Sequence, residues 1–147
     1  WMAALLLGAA PLAQTPELAQ DDSIEVLRTR ANAGDADAQA VFGYMYVTGE
    51  GVPQDDVEAA AWYRRAAEQG HAGAQYTLGV MYGTGEGVPQ DDVEAYKWLN
   101  LAAIYADAEQ REEFAEARDH SASMLPREKL AEGQKLAREW FAAHPPE

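Results

Sequence analysis

Two identical acidic, glycine-rich segments contain the residue types in this sequence that could do chemistry. The string TGEGVPQDDVEA occupies residues 48–59 and 84–95 without a substitution between the copies. Glycine-rich loops can hold phosphate at a helix N-terminus, but no lysine follows here, and each following helix opens with carboxylates that would repel an anion. The carboxylates also lack the alternating spacing of a calcium loop. Helix capping is therefore the better interpretation of both acidic clusters.

The three histidines do not indicate a second kind of site. His71, His120 and His144 are far apart, and no two of them show the four-residue spacing of helical zinc ligands. Asp119, His120 and Ser121 are the residue types of a hydrolytic triad, but consecutive helical residues point in different directions. The sequence has no cysteine, which excludes thiolate chemistry. We therefore predict no cofactor, no metal and no catalytic residue.

Both acidic segments belong to a longer internal repeat, because they begin at residues 48 and 84, a spacing of 36 residues. The further matched pairs are Gln39 with Gln75, Tyr46 with Tyr82, and Trp62 with Trp98. Repeats of this length are typical of helical pairs that stack on their neighbours. The apolar periodicity predicts a helix from about residue 23, then helices over about 35–47 and 57–69, repeated in the second unit.

The repeat also predicts how the chain is divided. Full repeats cover 34–69 and 70–105, and a degenerate third unit with a capping helix covers 106–143, so the helical domain spans 23–143. Residues 14–22 form a linker. Residues 1–13 resemble the end of a secretory signal, because an apolar stretch ends in small residues. This predicts a periplasmic or secreted protein. The alternative is a cytoplasmic protein whose apolar N-terminal helix caps the array.

Small and aromatic residues predict how the helices pack. Gly43 and Gly79 lie inside helices, where glycine costs about 1 kcal/mol relative to alanine, so we expect two backbones to approach closely there. The second helix of the unit should bury one stripe at helical spacing. That stripe consists of Ala59, Trp62, Tyr63 and Ala66.

The residues shared by the two units resemble the Sel-one-like repeat, a branch of the tetratricopeptide superfamily. They are the Gly-Asp-Ala opening at 34–36, Phe42-Gly43 with Tyr46, the loop 49–52, Asp55, Trp62-Tyr63, Ala66-Ala67 and Gly70. The resemblance covers about residues 31–106. It implies an all-α fold, a right-handed alpha-alpha superhelix or solenoid with a C-terminal capping helix. It also implies an adaptor or scaffold for other proteins, often exported in bacteria.

Analogy with tetratricopeptide arrays further predicts a binding groove on the concave face, formed by the first helix of each unit. The groove positions are Asp37, Tyr44, Val47, Tyr76 and Val80, continued by Glu109, Glu112 and Glu116. Such a groove has aromatic anchors at one end and carboxylates at the other, which suits a basic, apolar peptide or helix. The alternative is that these residues form ordinary solvated faces.

The charge balance narrows the choice of partner. With 25 acidic and 11 basic residues the formal net charge is −14, which repels nucleic acid and anionic lipid. Arg127, Lys129, Lys135 and Arg138 make the last helix basic. We expect its apolar side to cover the end of the array. The alternative is a role at a membrane surface or in binding a partner helix.

These observations favour a non-catalytic, exported adaptor, monomeric or weakly self-associating, that binds a neutral or basic protein or peptide. The alternative function is a cell-wall-directed hydrolase, or a protein that binds a small ligand or peptide, using acidic groove residues. A hydrolase needs two carboxyl groups about 5–9.5 Å apart, one of them with a raised pKa.

Overall fold

The computed structural model describes residues 24–145, which form seven α-helices and no β-strand. The helices are α1 (Ile24–Asn32), α2 (Ala36–Thr48), α3 (Asp56–Glu68), α4 (Ala72–Thr84), α5 (Asp92–Tyr105), α6 (Arg111–Met124) and α7 (Arg127–Ala143). The predicted signal remnant at 1–13 and the linker at 14–22 lie outside the described residues.

The helices pack in chain order, as a stacked array requires. The pairs α2–α3 and α4–α5 form antiparallel hairpins, α1 packs on α2, and α3 packs on α4. The predicted all-α repeat solenoid is therefore confirmed. The Asp107 carboxylate caps a separate turn just before helix α6 begins at Arg111. Its Oδ1 accepts the N–H groups of Glu109 at 3.0 Å and Gln110 at 2.9 Å.

The two identical loops have the same conformation. Gly49 and Gly85 end α2 and α4 in the left-handed region, with φ of 76° and 74°. The Oδ1 atom of Asp55 accepts hydrogen bonds from Val57 N at 3.0 Å and Glu58 N at 3.1 Å, and Asp91 repeats both distances in the second unit. The acidic clusters therefore cap helices, as the sequence predicts.

A buried glutamine connects each unit to the helix before it. Gln39 Nε2 donates to the Ala31 carbonyl at 3.0 Å, and Gln75 Nε2 donates to the Ala67 carbonyl at 3.1 Å. Each bond goes to a carbonyl near the C-terminal end of the preceding helix. That carbonyl also accepts a backbone hydrogen bond from the following turn, from Gly34 N–H to Ala31 at 3.1 Å and from Gly70 N–H to Ala67 at 3.0 Å. The glutamine bonds fix the register between consecutive units.

The two repeated tryptophans differ in burial. Trp98 is 1% exposed and lies edge-on to Trp140 of α7, with ring centroids 5.8 Å apart. Trp62 is only half-buried. It packs on Phe42 at 5.3 Å, and the Arg65 guanidinium lies 4.4 Å from its ring. The predicted buried stripe is therefore wrong in part, because α7 covers Trp98 while Trp62 is covered by an arginine from its own helix.

The glycines inside the helices are sites of close contact. A Cβ on Gly79 would lie 2.9 Å from Leu99 Cγ and 3.1 Å from the Ala95 carbonyl oxygen, so α4 and α5 approach closely there. A Cβ on Gly43 would lie 2.9 Å from the Tyr63 ring. The predicted approach of two backbones thus holds for Gly79, whereas Gly43 accommodates an aromatic side chain.

Helix α7 covers the C-terminal end of the array, as predicted. It packs on α5 with its buried residues Gly133 and Ala137, and a Cβ on Gly133 would lie 2.7 Å from Tyr96. Helix α6 also packs on α5. The third unit therefore does not repeat the tight hairpin of the first two, since both of its helices use α5 as their main partner.

Candidate functional site

A cleft of about 490 Å³ lies between α4, α5 and α6. Its volume is within the range of about 300–1,000 Å³ that is usual for ligand sites, and its lining is mostly apolar. Helix α4 contributes Tyr76, Val80 and Gly83; α5 contributes Ala95 and Leu99; α6 contributes Ala117 and Met124. Most of these residues are one or two turns apart on their helices, so each helix presents one face to the cleft.

One end of the cleft is fixed by an aromatic pair. Tyr76 of α4 stacks on Phe114 of α6 with ring centroids 4.6 Å apart and an angle of 15° between the planes. Tyr76 is 2% exposed and Phe114 is fully buried. Burial, followed by the charge of Glu113, raises the pKa of Tyr76. This pair holds α4 and α6 together, and the cleft extends from it toward the C-terminal ends of both helices.

The cleft has an acidic edge. Asp92, Glu113 and Glu116 line it, and no lysine or arginine is among the described residues that do so. Burial, followed by repulsion from Glu116, raises the pKa of Glu113. His120 also lines the cleft. The cleft therefore combines an apolar interior with carboxylates that a cation would stabilise.

The structure brings three of the predicted groove residues together and separates the others. Tyr76, Val80 and Glu116 line the cleft, although Tyr76 is a buried wall residue and not the accessible anchor that the sequence suggested. Tyr44 and Val47 are partly buried and pack against the main core cluster. Binding by any of these residues remains a prediction.

The remaining predicted groove residues lie away from the cleft. Asp37 is 3.2 Å from His71 Nε2 and thus contacts the start of the second unit. Glu109 and Glu112 are exposed near the N-terminal end of α6, outside the cleft lining. They therefore do not share a cavity with Val80.

Sequence reasoning missed several cleft residues, notably Gly83, Ala117, His120 and Met124. A comparison of the two repeats would have found Gly83, because the equivalent position in the first unit is Val47. The α6 residues could not be found this way, since the third unit departs from the pattern. Met124 is 69% exposed at the end of α6.

The histidines and carboxylates form no metal site in the described part of the chain, where no group of three or more potential ligands occurs. His71 caps α4 instead, with its Nδ1 accepting the Ala74 N–H at 3.0 Å. The side chains of His120 and Ser121 both line the cleft, and within residues 24–145 no hydrogen bond joins them. No helix in that range is long and apolar enough to cross a bilayer.

Comparisons with known proteins identify the repeat. The Sel1 repeat profile matches residues 36–71 and 72–104. A protective antigen present in uropathogenic Escherichia coli strains, which displays an SLR fold, superposes with a TM-score of 0.77 at 29% identity over 92% of this chain. A Sel1 repeat protein from Oxalobacter formigenes gives a TM-score of 0.58 at 40% identity over 63% of this chain.

The chain spans only 30% of the first of these proteins and 27% of the second. Comparison with curated protein sequences gives no significant match. The comparisons therefore establish the repeat type and the fold.

Proposed function

Because the chain is a Sel1-like repeat protein, we propose that it is an exported, non-catalytic adaptor or scaffold that binds a partner protein through the concave face of its repeats. Proteins built from Sel1 repeats are generally protein-interaction modules. The export part of the proposal rests on the apolar stretch at 2–13 and the small residues at its end.

The observation that carries the proposal is the cleft between α4, α5 and α6. It is apolar inside and acidic at its edge. Two of its three helices, α4 and α6, are first helices of their units, which tetratricopeptide-like arrays use for binding. Buried apolar contacts surrounded by polar groups are typical of the centre of protein interfaces. The net charge of −14 favours a neutral or basic partner over nucleic acid or an anionic membrane.

One experiment tests this function directly. The mature chain is immobilised and used to capture proteins from its source cells, as the wild type and as the Glu116→Lys variant. The exposed Glu128 of α7, replaced by lysine, is the matched charge-reversal control. We expect one saturable partner that Glu116→Lys loses and Glu128→Lys retains. A partner that both variants retain, or no saturable partner at all, would contradict the proposal.

The raised pKa of Glu113 supports the hydrolase as a second candidate. Glu113 and Glu116 are three residues apart on α6 and both line the cleft. Glycoside hydrolysis uses two carboxyl groups, one of them with a raised pKa. Purified cell-wall material incubated with the wild type and with Glu113→Gln separates the candidates. Release of soluble fragments by the wild type alone would favour the hydrolase, whereas the adaptor proposal expects no release by either.

A further inference from the structure

The cleft lies beside three positions at which the second joint of the array has smaller side chains than the first. We define the first joint as the packing of α2 and α3 against α4, and the second joint as the packing of α4 and α5 against α6. At equivalent repeat positions, Val80 replaces Tyr44, Gly83 replaces Val47, and Leu99 replaces Tyr63. Each change removes volume from the second joint.

In the first joint the larger side chains are packed. Tyr63 is 1% exposed, and burial, followed by the neighbouring Tyr44, raises its pKa. Tyr44 and Val47 both pack against the main core cluster. Val80 packs against the same cluster, but it also lines the cleft, as does Gly83. Equivalent positions of α2 and α4 therefore hold larger side chains in the first joint and border a cleft in the second.

Gly83 differs from three other glycines that lie inside helices, namely Gly43, Gly79 and Gly133. A Cβ on Gly43, Gly79 or Gly133 would come within 2.9, 2.9 or 2.7 Å of a neighbouring atom, so packing requires those glycines. A Cβ on Gly83 would meet nothing closer than Ala95 Cβ at 3.8 Å, which is an ordinary contact. Glycine in a helix costs about 1 kcal/mol relative to alanine. Packing does not explain why residue 83 is glycine. The absence of a side chain at this position leaves more space in the cleft.

The facing wall changes from neutral to acidic between the two joints. Thr77 and Val80 of α4 correspond to Glu113 and Glu116 of α6. Covering these carboxylates with an apolar partner would leave buried charge unpaired, which is costly. A partner that places a lysine or arginine beside these carboxylates avoids that cost. The negative charge of the protein also attracts a cationic partner.

We propose that the second joint is the docking site for a segment of the partner protein that places a bulky apolar side chain over Gly83 and a lysine or arginine against Glu113 and Glu116. This inference rests on the proposed protein-binding function. The apolar side chain occupies the space that Tyr44 and Val47 fill in the first joint. The cation neutralises the two carboxylates, and the exposed Met124 lies at the C-terminal end of the cleft.

The test uses a fluorescently labelled synthetic peptide of leucine, alanine and arginine, with binding followed by anisotropy. Two control peptides replace its arginines by glutamate or its leucines by serine. The Val80→Tyr/Gly83→Val variant copies the first joint into the second, and Glu113→Gln/Glu116→Gln removes the charges. Glu50→Gln/Glu58→Gln removes two exposed carboxylates from the first unit as a matched control.

We expect saturable binding of the arginine peptide to the wild type, and weaker or no binding of either control peptide. Both cleft variants should bind at least about tenfold more weakly, a loss of about 1.4 kcal/mol. The Glu50→Gln/Glu58→Gln control should bind as the wild type does. Circular dichroism and thermal melting establish that each variant is folded. If the filled variant, Val80→Tyr/Gly83→Val, destabilises the chain, Gly83→Ala is used to fill the cleft by a single methyl group. We expect this variant to lose an intermediate amount of affinity and no stability.

Full affinity in a folded Val80→Tyr/Gly83→Val variant would overturn the docking site. So would binding of the glutamate peptide as tight as that of the arginine peptide. Self-association that the filled variant abolishes would show that a second copy of the chain occupies the cleft, and this also counts against a partner segment. If the captured cellular partner depends on Glu116 but tolerates the filled cleft, the docking site is wrong while the proposed function stands.

Discussion

The first and second repeats of this protein share their local structure and differ in what surrounds them. Their loops are identical in sequence, their helix-ending glycines have φ of 76° and 74°, and their aspartate caps make hydrogen bonds of the same length. The joint that follows each repeat is different. The first is filled by tyrosine and valine, and the second is open and acidic. Thus the repeat sequence determines the unit, whereas the binding properties arise where a unit meets its neighbour.

The buried glutamines Gln39 and Gln75 also differ in their surroundings between the two units. Gln39 Oε1 in the first unit accepts a hydrogen bond from Gln69 Nε2 at 2.8 Å. The equivalent Oε1 of Gln75 has no hydrogen-bond partner among the described residues. The reason is that Tyr105 occupies the position equivalent to Gln69 and donates its hydroxyl to the His144 carbonyl at 2.9 Å. The second unit therefore exchanges a contact within the repeat for one with the C-terminal cap.

The largest difference between the units should be found at the repeated tryptophans. Trp98→Ala removes a fully buried ring, so we expect a loss of about 3–5 kcal/mol in the free energy of unfolding. Trp62→Ala removes a half-buried ring, for which about 1–2 kcal/mol is expected. Urea denaturation of both variants measures the difference. Equal losses would show that α7 does not stabilise the second unit in the way that the Trp98–Trp140 contact indicates.

The two identical loops should tolerate the same substitution unequally. Alanine at Gly51 or Gly87 adopts a positive φ, which costs about 1–2 kcal/mol. At Gly51 the new Cβ meets the end of the Ile24 side chain at 2.6 Å, and that side chain can move. At Gly87 it meets the Asp56 carbonyl oxygen of the preceding unit at 2.1 Å, so backbone must shift.

We therefore expect Gly87→Ala to cost about 3 kcal/mol or more and Gly51→Ala about 1–2 kcal/mol. Gly34→Ala is the control for strain alone, since Gly34 has φ of 99° and no atom within 4 Å of the new Cβ. Thermal melting ranks the three variants. A melting temperature for Gly87→Ala equal to that of Gly34→Ala would rule out the contact between this loop and α3.

The residues that cap α2 and α4, the first helices of the two repeats, should lose their contribution to stability in different pH ranges. His71 replaces Asp35 at the equivalent position, and its Nδ1 must be unprotonated to accept the Ala74 N–H. Burial lowers the pKa of His71, and Asp37 and Asp35, which face it, offset this only in part. The unfolded chain therefore binds this proton more readily than the folded chain. As pH falls below about 6.5, the His71 contribution to stability should decline until the lowered pKa is passed.

The Asp35 cap should persist to a lower pH. Burial raises the pKa of Asp35, but the Ala38 N–H and Arg30 outweigh this, so that the net shift is downward from 3.8. Its contribution to stability should therefore be lost only as pH falls below about 3.8. The His71→Asn variant keeps a capping side chain that does not titrate. Melting temperatures of the wild type and this variant should converge above neutrality and diverge near pH 6, and parallel curves would disprove the role of His71.

The smallest expected effect on stability is a gain at the cleft. Gly83→Ala adds a methyl group that no neighbour obstructs, so the free energy of unfolding should rise by about 0.5–1 kcal/mol. Gly79→Ala is the matched control, because its Cβ would lie 2.9 Å from Leu99. It should destabilise the chain. A loss of stability in Gly83→Ala would mean that this glycine is structural after all.

The sequence predicts the array well because its signals are local and occur twice. The capping aspartates, the helix-ending glycines and the apolar stripes each depend on residues within a few positions of one another. The cleft could be predicted only in part. Val80 and Glu116 follow from the repeat register, whereas Met124 and the burial of Tyr76 depend on α6, whose sequence departs from the repeat. The predicted burial of Trp62 is wrong for a similar reason, because full burial at this position requires a covering helix such as the one that covers Trp98.

The most direct test of the open second joint is a methyl NMR titration of the wild-type chain with the arginine peptide. Val80 and Met124 report on the second joint, and Val41 and Val47 report on the first unit. We predict saturable shifts of the Val80 and Met124 methyl resonances while those of Val41 and Val47 stay unchanged. Shifts confined to Val41 and Val47, or no saturable shift at Val80, would contradict the account.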